Sequence, residues 1–326
     1  MTFKGRGLYA SSSKEPGGFR AGPWMLLGAV LVMAVIGVTV VWVLSNVSVD
    51  SERRDDTFEA AALLGIDNDT AGDVTVVAGS GDEVVLERTL RSGPFQEPEE
   101  YVTEDGGTLV EAECEGEGVW FLGGDCAVDY DVTVPEGTEV TVSTVSGRIR
   151  VENVDGLLDL SSTSGNVVVN GNVGDVAASS TSGGLELSGV EGSVEAETAS
   201  GRVLASGAGE SLSAQSVSGT VEVSNFAARV VNAASTSGPV VVGGGFTSAE
   251  VSTTSGSVEV ATEDAFDWLS VDSTSGTVRV RVPEGVYAVT GESTSGGRDI
   301  GVDISVDAQA RIDVNTVSGS VSVQGL

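Results

Sequence analysis

Through its C-terminal half the chain alternates apolar and polar residues in short runs that recur at a nearly fixed distance. "STSG" and its near-copies "TVSG", "TASG", "SVSG" and "TTSG" end at Gly147, Gly165, Gly183, Gly201, Gly219, Gly238, Gly256, Gly276, Gly296 and Gly319. The first four steps are 18 residues each, and the later ones are 19, 18, 20, 20 and 23. With each glycine as position zero, +2 and +4 hold pairs such as Val167/Val169, Leu185/Leu187 and Val278/Val280. Positions −7 and −5 hold pairs such as Leu158/Leu160, Val194/Ala196 and Ile312/Val314. A period of two within a run is a strand with one buried face, and a period near 20 between runs is a solenoid. The pattern predicts an all-β parallel β-solenoid, or β-helix, of about ten coils rising roughly 4.8 Å each. The 18-residue step also suits a left-handed hexapeptide helix, but the hexapeptide spacing of apolar residues is missing, so a right-handed coil is expected.

Counting by twos from −7 carries the inward parity to −3 and −1. That places Ser146, Ser164, Ser182, Ser200, Ser218, Ser237, Ser255, Ser275, Ser295 and Ser318 in one inward column, where stacked hydroxyls donate and accept along the axis. The glycine that follows breaks the parity and marks a corner expected to need unusual backbone angles. A second glycine-bearing corner recurs near +6 or +9, as at Gly156, Gly171, Gly174, Gly189 and Gly192. Only Arg298 interrupts the apolar +2 column.

Ahead of the repeat the pattern changes twice. From Trp24 to Leu44 the chain reads "WMLLGAVLVMAVIGVTVVWVL", an uncharged run long enough for one bilayer core with a tryptophan near each end. Lys4, Arg6, Lys14 and Arg20 precede it against the single acid Glu15, which places the N-terminus in the cytoplasm and the rest outside. A cleaved signal peptide is the competing reading, but the run is long for one and "SNVSVDS" offers no small-x-small cleavage site. The chain thus divides into a cytoplasmic tail (1–21), a single-pass transmembrane anchor (22–45), an N-terminal β region and cap (46–134) and the solenoid (135–326), in a cell membrane with the C-terminal domain extracellular.

The cap region keeps strand patterns, "DVTVVAG" and "EVVLERTL" among them, and holds the only cysteines. In an oxidising envelope Cys114 and Cys126 are expected to form a disulfide; a reactive thiol or metal pair is the alternative, with no histidine to complete a zinc site. Trp120 and Phe121 lie between them and read as part of an end cap or as a binding tip.

Composition narrows the function. Only 5% of residues are aromatic, so small β-branched side chains must build the core. Beyond the apolar run 47 acids face 12 arginines, a balance that keeps the protein solvated and repels nucleic acid phosphates. With no histidine there is no Ser-His-Asp or Cys-His arrangement, and no phosphate-cradling glycine loop occurs. "DNDTAGD" at 67–73 loosely echoes a calcium loop, but its twelfth position is Ala78 rather than glutamate. No catalysis, metal or cofactor is expected.

The residues "TAGDVTV" at 70–76, "VDYDVTVPEGTEVTVSTVSG" at 128–147 and the serial "SG-x-V-x-V" steps resemble the putative-adhesin family of bacterial envelope proteins, a domain of unknown function. The resemblance covers roughly 57–326 and implies a surface-exposed single-stranded β-helix with an adhesion or envelope-stress role and no catalytic residues. The favoured function is a surface interaction or adhesion rod whose partner is a surface protein or glycan. A β-helical polysaccharide-active enzyme would need long insertions that the 18-residue steps leave no room for, and an ice-binding solenoid would need outward hydroxyl arrays. The last coil ends in "GSVSVQGL" without a polar or proline-bearing cap, so an open edge and weak self-association or partner docking there are expected; the alternative is that the longer 277–318 excursions, Tyr287 among them, fold over and cap the rod.

Overall fold

The computed structural model describes residues 22–45, 50–59, 62–93, 96–104, 106–115 and 126–326. One helix is followed by strands that all join a single hydrogen-bonded sheet wound into a solenoid. Each coil contributes a first strand ending at −3, the tetrapeptide corner, and a second strand from +2. Leu158–Ser162 lies parallel between Glu139–Thr144 and Val176–Ser180. Val167–Asn170 lies parallel between Ile149–Glu152 and Leu185–Glu191. Because these registers advance by one repeat, like residues stack on like, and the expected +2/+4 and −7/−5 columns form the core. Val167, Val169, Leu185 and Leu187 are all within 1% of complete burial.

A third inward column was not visible in the two-residue alternation. It runs through Val154, Asn172 and Val190 and meets Gly207 in the next coil, beyond which buried rings follow, Phe226, Phe246, Phe266 and Tyr287. Asn172 is accommodated because its Nδ2 donates to the Gly174 carbonyl at 2.9 Å and the Gly156 carbonyl at 3.3 Å. The repeat lengthens beyond 18 residues where the rings begin. Phe266 sits 5.6 Å from both Phe246 and Tyr287, stacked nearly parallel on the latter.

Two glycine columns exist for two different reasons. A Cβ built on Gly183 would lie 1.8 Å from the Gly165 carbonyl oxygen, and one on Gly165 would lie 1.8 Å from that of Gly147. Gly147, Gly165 and Gly183 do not occupy the left-handed region, and among the corner glycines a positive φ is found at Gly276, at 159° on the border of extended backbone. The expectation of unusual angles is corrected, since close approach of neighbouring backbones demands glycine there. At +6 the backbone itself makes the demand. Gly171 and Gly189 have φ of 71° and 66°, and the residues in the same place of other coils are Asn153 and Asn225 at 53° and 55°. Asparagine is the side chain that best tolerates that region.

Both ends depart from chain order. Leu63–Asn68 and Val74–Ala78 form a coil stacked directly on Glu139–Thr144 and Ile149–Glu152. Thr108–Glu115 and Ala127–Val134 form another coil outside it, although they come later in sequence. The solenoid therefore reaches back into the segment read as a cap. Antiparallel strands close the outside: Glu97–Thr103 on one face, and Glu83–Ser92 followed by Asp50–Glu59 on the other. These edges carry Pro98 or dense charge, which discourages further pairing.

At the other end Val321–Gly325 pairs on both sides, with Val278–Val282 and with Arg298–Gly301. The open edge expected there is corrected: the outermost coil is built from 286–301, and the last strand of the chain is interior. Arg298, which breaks the apolar column, belongs to that outermost coil and donates to the Gly291 carbonyl and, at 2.8 Å, to the Thr290 carbonyl.

The helix Gly22–Ser45 is 24 residues long. Its side chains are described for 27–40 and 42 and are exposed. Among the described residues no helix is long and apolar enough to cross a membrane, so the structure does not show the expected span. The Trp24 side chain and the tail 1–21 lie outside the described residues.

Candidate binding groove

The corner tetrapeptide shapes a long surface groove. The first strand of a coil ends at −3, where a serine or threonine is buried: Ser162, Ser180, Thr198 and Ser216 are between 5% and 7% exposed. The hydroxyl at −3 accepts from the corner glycine three residues on, as in Gly183 N–H to Ser180 Oγ at 2.8 Å. It donates to the corner glycine of the neighbouring coil, as in Ser216 Oγ to the Gly201 carbonyl at 3.2 Å and Ser235 Oγ to the Gly219 carbonyl at 2.9 Å. Ser180 does both: it closes its own turn and reaches the Gly165 carbonyl at 3.5 Å, tying two coils together.

This turn reverses the serine assignment at −1. Closing an oxygen at −3 onto an N–H at zero holds both intervening residues on the outside, and glycine then points inward. Ser146, Ser164, Ser182, Ser200, Ser218, Ser237, Ser255, Ser275, Ser295 and Ser318 are all exposed. The inward column lies two residues earlier, and simple alternation fails because the bend begins immediately after −3. In two adjacent coils the buried hydroxyls of Ser273 and Thr316 have no partner, which marks the corners least well closed.

Outside the bend, the rows at −4 and −2 flank a continuous groove of about 1050 Å³ that runs along the coils from Ser143 to Val317. Each coil from Ser161 onward supplies one residue to each row, so side chains repeat at roughly 4.8 Å. Ser161, Ser179, Thr163 and Thr181 line it with hydroxyls that find no side-chain partner among the described residues. Glu197, Gln215, Asp272, Glu292 and Asn315 also line the groove. Asn315 Nδ2 donates to Asp272 Oδ1 at 3.2 Å. Among the described lining residues none is basic and none is aromatic. Such a surface offers regularly spaced donors and acceptors to an extended chain and repels anions.

The other chemical cluster lies under the outer N-terminal strands. Arg88 takes an inward position on Glu83–Ser92, where parity calls for an apolar residue, and is 4% exposed. Its guanidinium meets Glu100 at 2.7 Å and Asp56, and Glu100 accepts from Tyr130 Oη at 2.9 Å. Burial and the neighbouring Glu100 carboxylate raise the Tyr130 phenol well above its ordinary value. The cluster joins the strand over one face to the strand over the other and so closes the end of the core. The inward parity of Arg88 in "VVLERTL" was the available signal for it.

Cys114 and Cys126 are joined as a disulfide, with Cα atoms 6.2 Å apart, and link the two strands of the outermost coil. Trp120 and Phe121 fall outside the described residues. Asn68 and Thr70 of the calcium-like stretch are buried, and Thr70 Oγ1 donates to Asn68 Oδ1 at 2.6 Å, so this stretch is a corner of the first coil. Among the described residues no group of acids or cysteines could hold a metal ion.

A family profile described as Toastrack DUF4097 matches residues 64–324. The fold is similar to the crystal structure of a putative adhesin from Bacteroides fragilis NCTC 9343, at 11% identity and a TM-score of 0.40, covering 86% of this chain and 98% of that one. It is also similar to a putative adhesin from Parabacteroides distasonis ATCC 8503, at 12% identity and a TM-score of 0.40, covering 84% and 97%. Among curated proteins no sequence matches.

Proposed function

The chain belongs to the Toastrack DUF4097 family, and from that premise we propose that it is a membrane-anchored surface interaction module that holds an extended partner along its groove. One observation carries this reading: the groove continues without interruption over the coils and presents free hydroxyls at the coil spacing. A polymer lying along the axis, a glycan or an extended segment of a surface protein, meets hydroxyls at most steps and carboxylate or amide side chains at the others. The acids among the lining residues favour neutral or cationic chains over phosphorylated or sulfated ones.

The helix Gly22–Ser45 serves as the anchor in this reading. The support for it is in the sequence, an uncharged run from Trp24 to Leu44 with a tryptophan near each end. The basic bias ahead of it supports a cytoplasmic N-terminus and an extracellular solenoid. The protein acts by binding rather than by catalysis, since the coils lack the insertions that frame a lyase cleft. The outward turn of the serine column removes the parity argument against ice binding, but Glu197, Gln215, Asp272 and Glu292 interrupt the hydroxyl row that ice binding would need.

The test is to block the groove. Ser179→Trp and Thr236→Trp, in the full chain, should abolish retention on isolated cell-surface polymers while leaving the melting temperature within a few degrees. Undiminished retention by both variants would remove the groove from the account.

A further inference from the structure

We propose that the swapped order of coils at the anchored end is a mechanical lock, which makes the solenoid resist force applied through its N-terminus. This inference rests on the reading that load reaches the rod through the chain preceding residue 62, although the device itself is independent of what the groove holds. In a solenoid wound in chain order, the terminal strand is an outer edge, and tension removes it coil by coil. Here the first coil strand, Leu63–Asn68, is bonded on both edges, to Glu139–Thr144 and to Thr108–Glu115. Val74–Ala78 is likewise held between Ile149–Glu152 and Ala127–Val134.

Tension on residue 62 is directed into strands trapped between two neighbours. It must shear two ladders together instead of opening one. The outer coil cannot be drawn off first, because the chain reaches it only after passing through the inner one. Its two strands are also joined covalently by Cys114–Cys126, and the Arg88–Glu100 pair ties the strands covering it. The C-terminal end repeats the arrangement, with Arg311–Ser318 held between Trp268–Ser275 and the strands Val286–Thr290 and Ser293–Ser295. Neither the first nor the last coil strand in sequence is an outer edge.

Single-molecule pulling on the full chain in detergent, with tags at Met1 and Leu326, tests this. After Asp50–Glu59 detaches, residues 63–134 should leave in one step. At about 3.5 Å per residue that step is roughly 250 Å under reducing conditions, and about 40 Å shorter while the disulfide stays closed. The sensitivity to reductant identifies the step. It should occur at higher force than the later releases of single coils, each about 60 Å long. A separate release of 63–78, about 55 Å, ahead of the reductant-sensitive step would overturn the lock. So would a reductant-sensitive step that occurs at no higher force than the single-coil steps.

Discussion

Adjacent glycines in one corner give the sharpest test of how the coils are held together. A methyl group on Gly183 would sit 1.8 Å from the Gly165 oxygen, 2.6 Å from its carbonyl carbon and 2.8 Å from Ser180 Oγ. Two of these three atoms are backbone, so the collision can be relieved only by separating two coils. Overpacking of this kind costs about 1–3 kcal/mol or somewhat more. The displaced corner also weakens the bond from Gly183 N–H to Ser180 Oγ and the reach of Ser180 Oγ toward the Gly165 carbonyl, each worth about 0.5–1.5 kcal/mol. Gly183→Ala should therefore cost about 2–6 kcal/mol in all, which at roughly 2 °C per kcal/mol for a chain of this size lowers the melting temperature by about 4–12 °C. The neighbouring Gly184 meets nothing closer than the Arg202 carbonyl at 3.5 Å and does not occupy the left-handed region. Gly184→Ala should be neutral, or stabilising by up to about 1 kcal/mol through the unfolded chain. Thermal unfolding of the two variants side by side removes differences of expression and solution. Equal melting temperatures would refute the claim that close backbone approach fixes the corner glycine.

Ser180→Ala should cost about 1–3 kcal/mol by leaving the Gly183 N–H unsatisfied, whereas Ser182→Ala should change stability by less than about 0.5 kcal/mol; urea midpoints that rank them the other way would restore the inward column at −1. Thiol counting after denaturation without reductant should find none free, and reduction should cost about 2–3 kcal/mol. Arg88→Met should destabilise by about 3–5 kcal/mol by leaving the buried Glu100 carboxylate without its cation, and Arg88→Met with Glu100→Met together should recover most of it; a double variant no better than the single one would remove the ion pair from the closure of that end. Because the folded Tyr130 phenol is raised above its ordinary value near 10.0, the stability it contributes is complete below that pH and is lost as pH climbs beyond it. Tyr130→Phe should flatten the alkaline limb of a stability–pH profile, and an unchanged limb would contradict that assignment.

The repeat was legible because it is local. Val167/Val169 and Leu158/Leu160 announce their strands within a few residues, and the 18-residue step sets which residues stack. The corner was half legible. The tetrapeptide marked it, but parity holds only while the strand continues, and the bend after −3 sends Ser164 and Ser182 outward while Ser162 and Ser180 stay in. The reason for the glycine at zero lies one coil away, in a carbonyl that no short window contains. The ends were least legible, because nothing near Leu63 or Val321 records that later or earlier residues will lie outside them. Arg88 and Arg298 were the clues, each a charge at an apolar position, and each belongs to the structure closing an end. The groove is a product of the corner and could not be read before the corner was turned the right way.

Site-specific photo-crosslinking on the intact envelope tests the central claim most directly. A crosslinking side chain is placed at Ser161, Ser179 and Ser252 in the groove, and at Val168, Glu186 and Glu259 on the outward side of the second strands. All three groove positions should capture the same extended polymer, and the second face should capture none of it. Capture at equal yield from both faces, or at the second face alone, would contradict the claim.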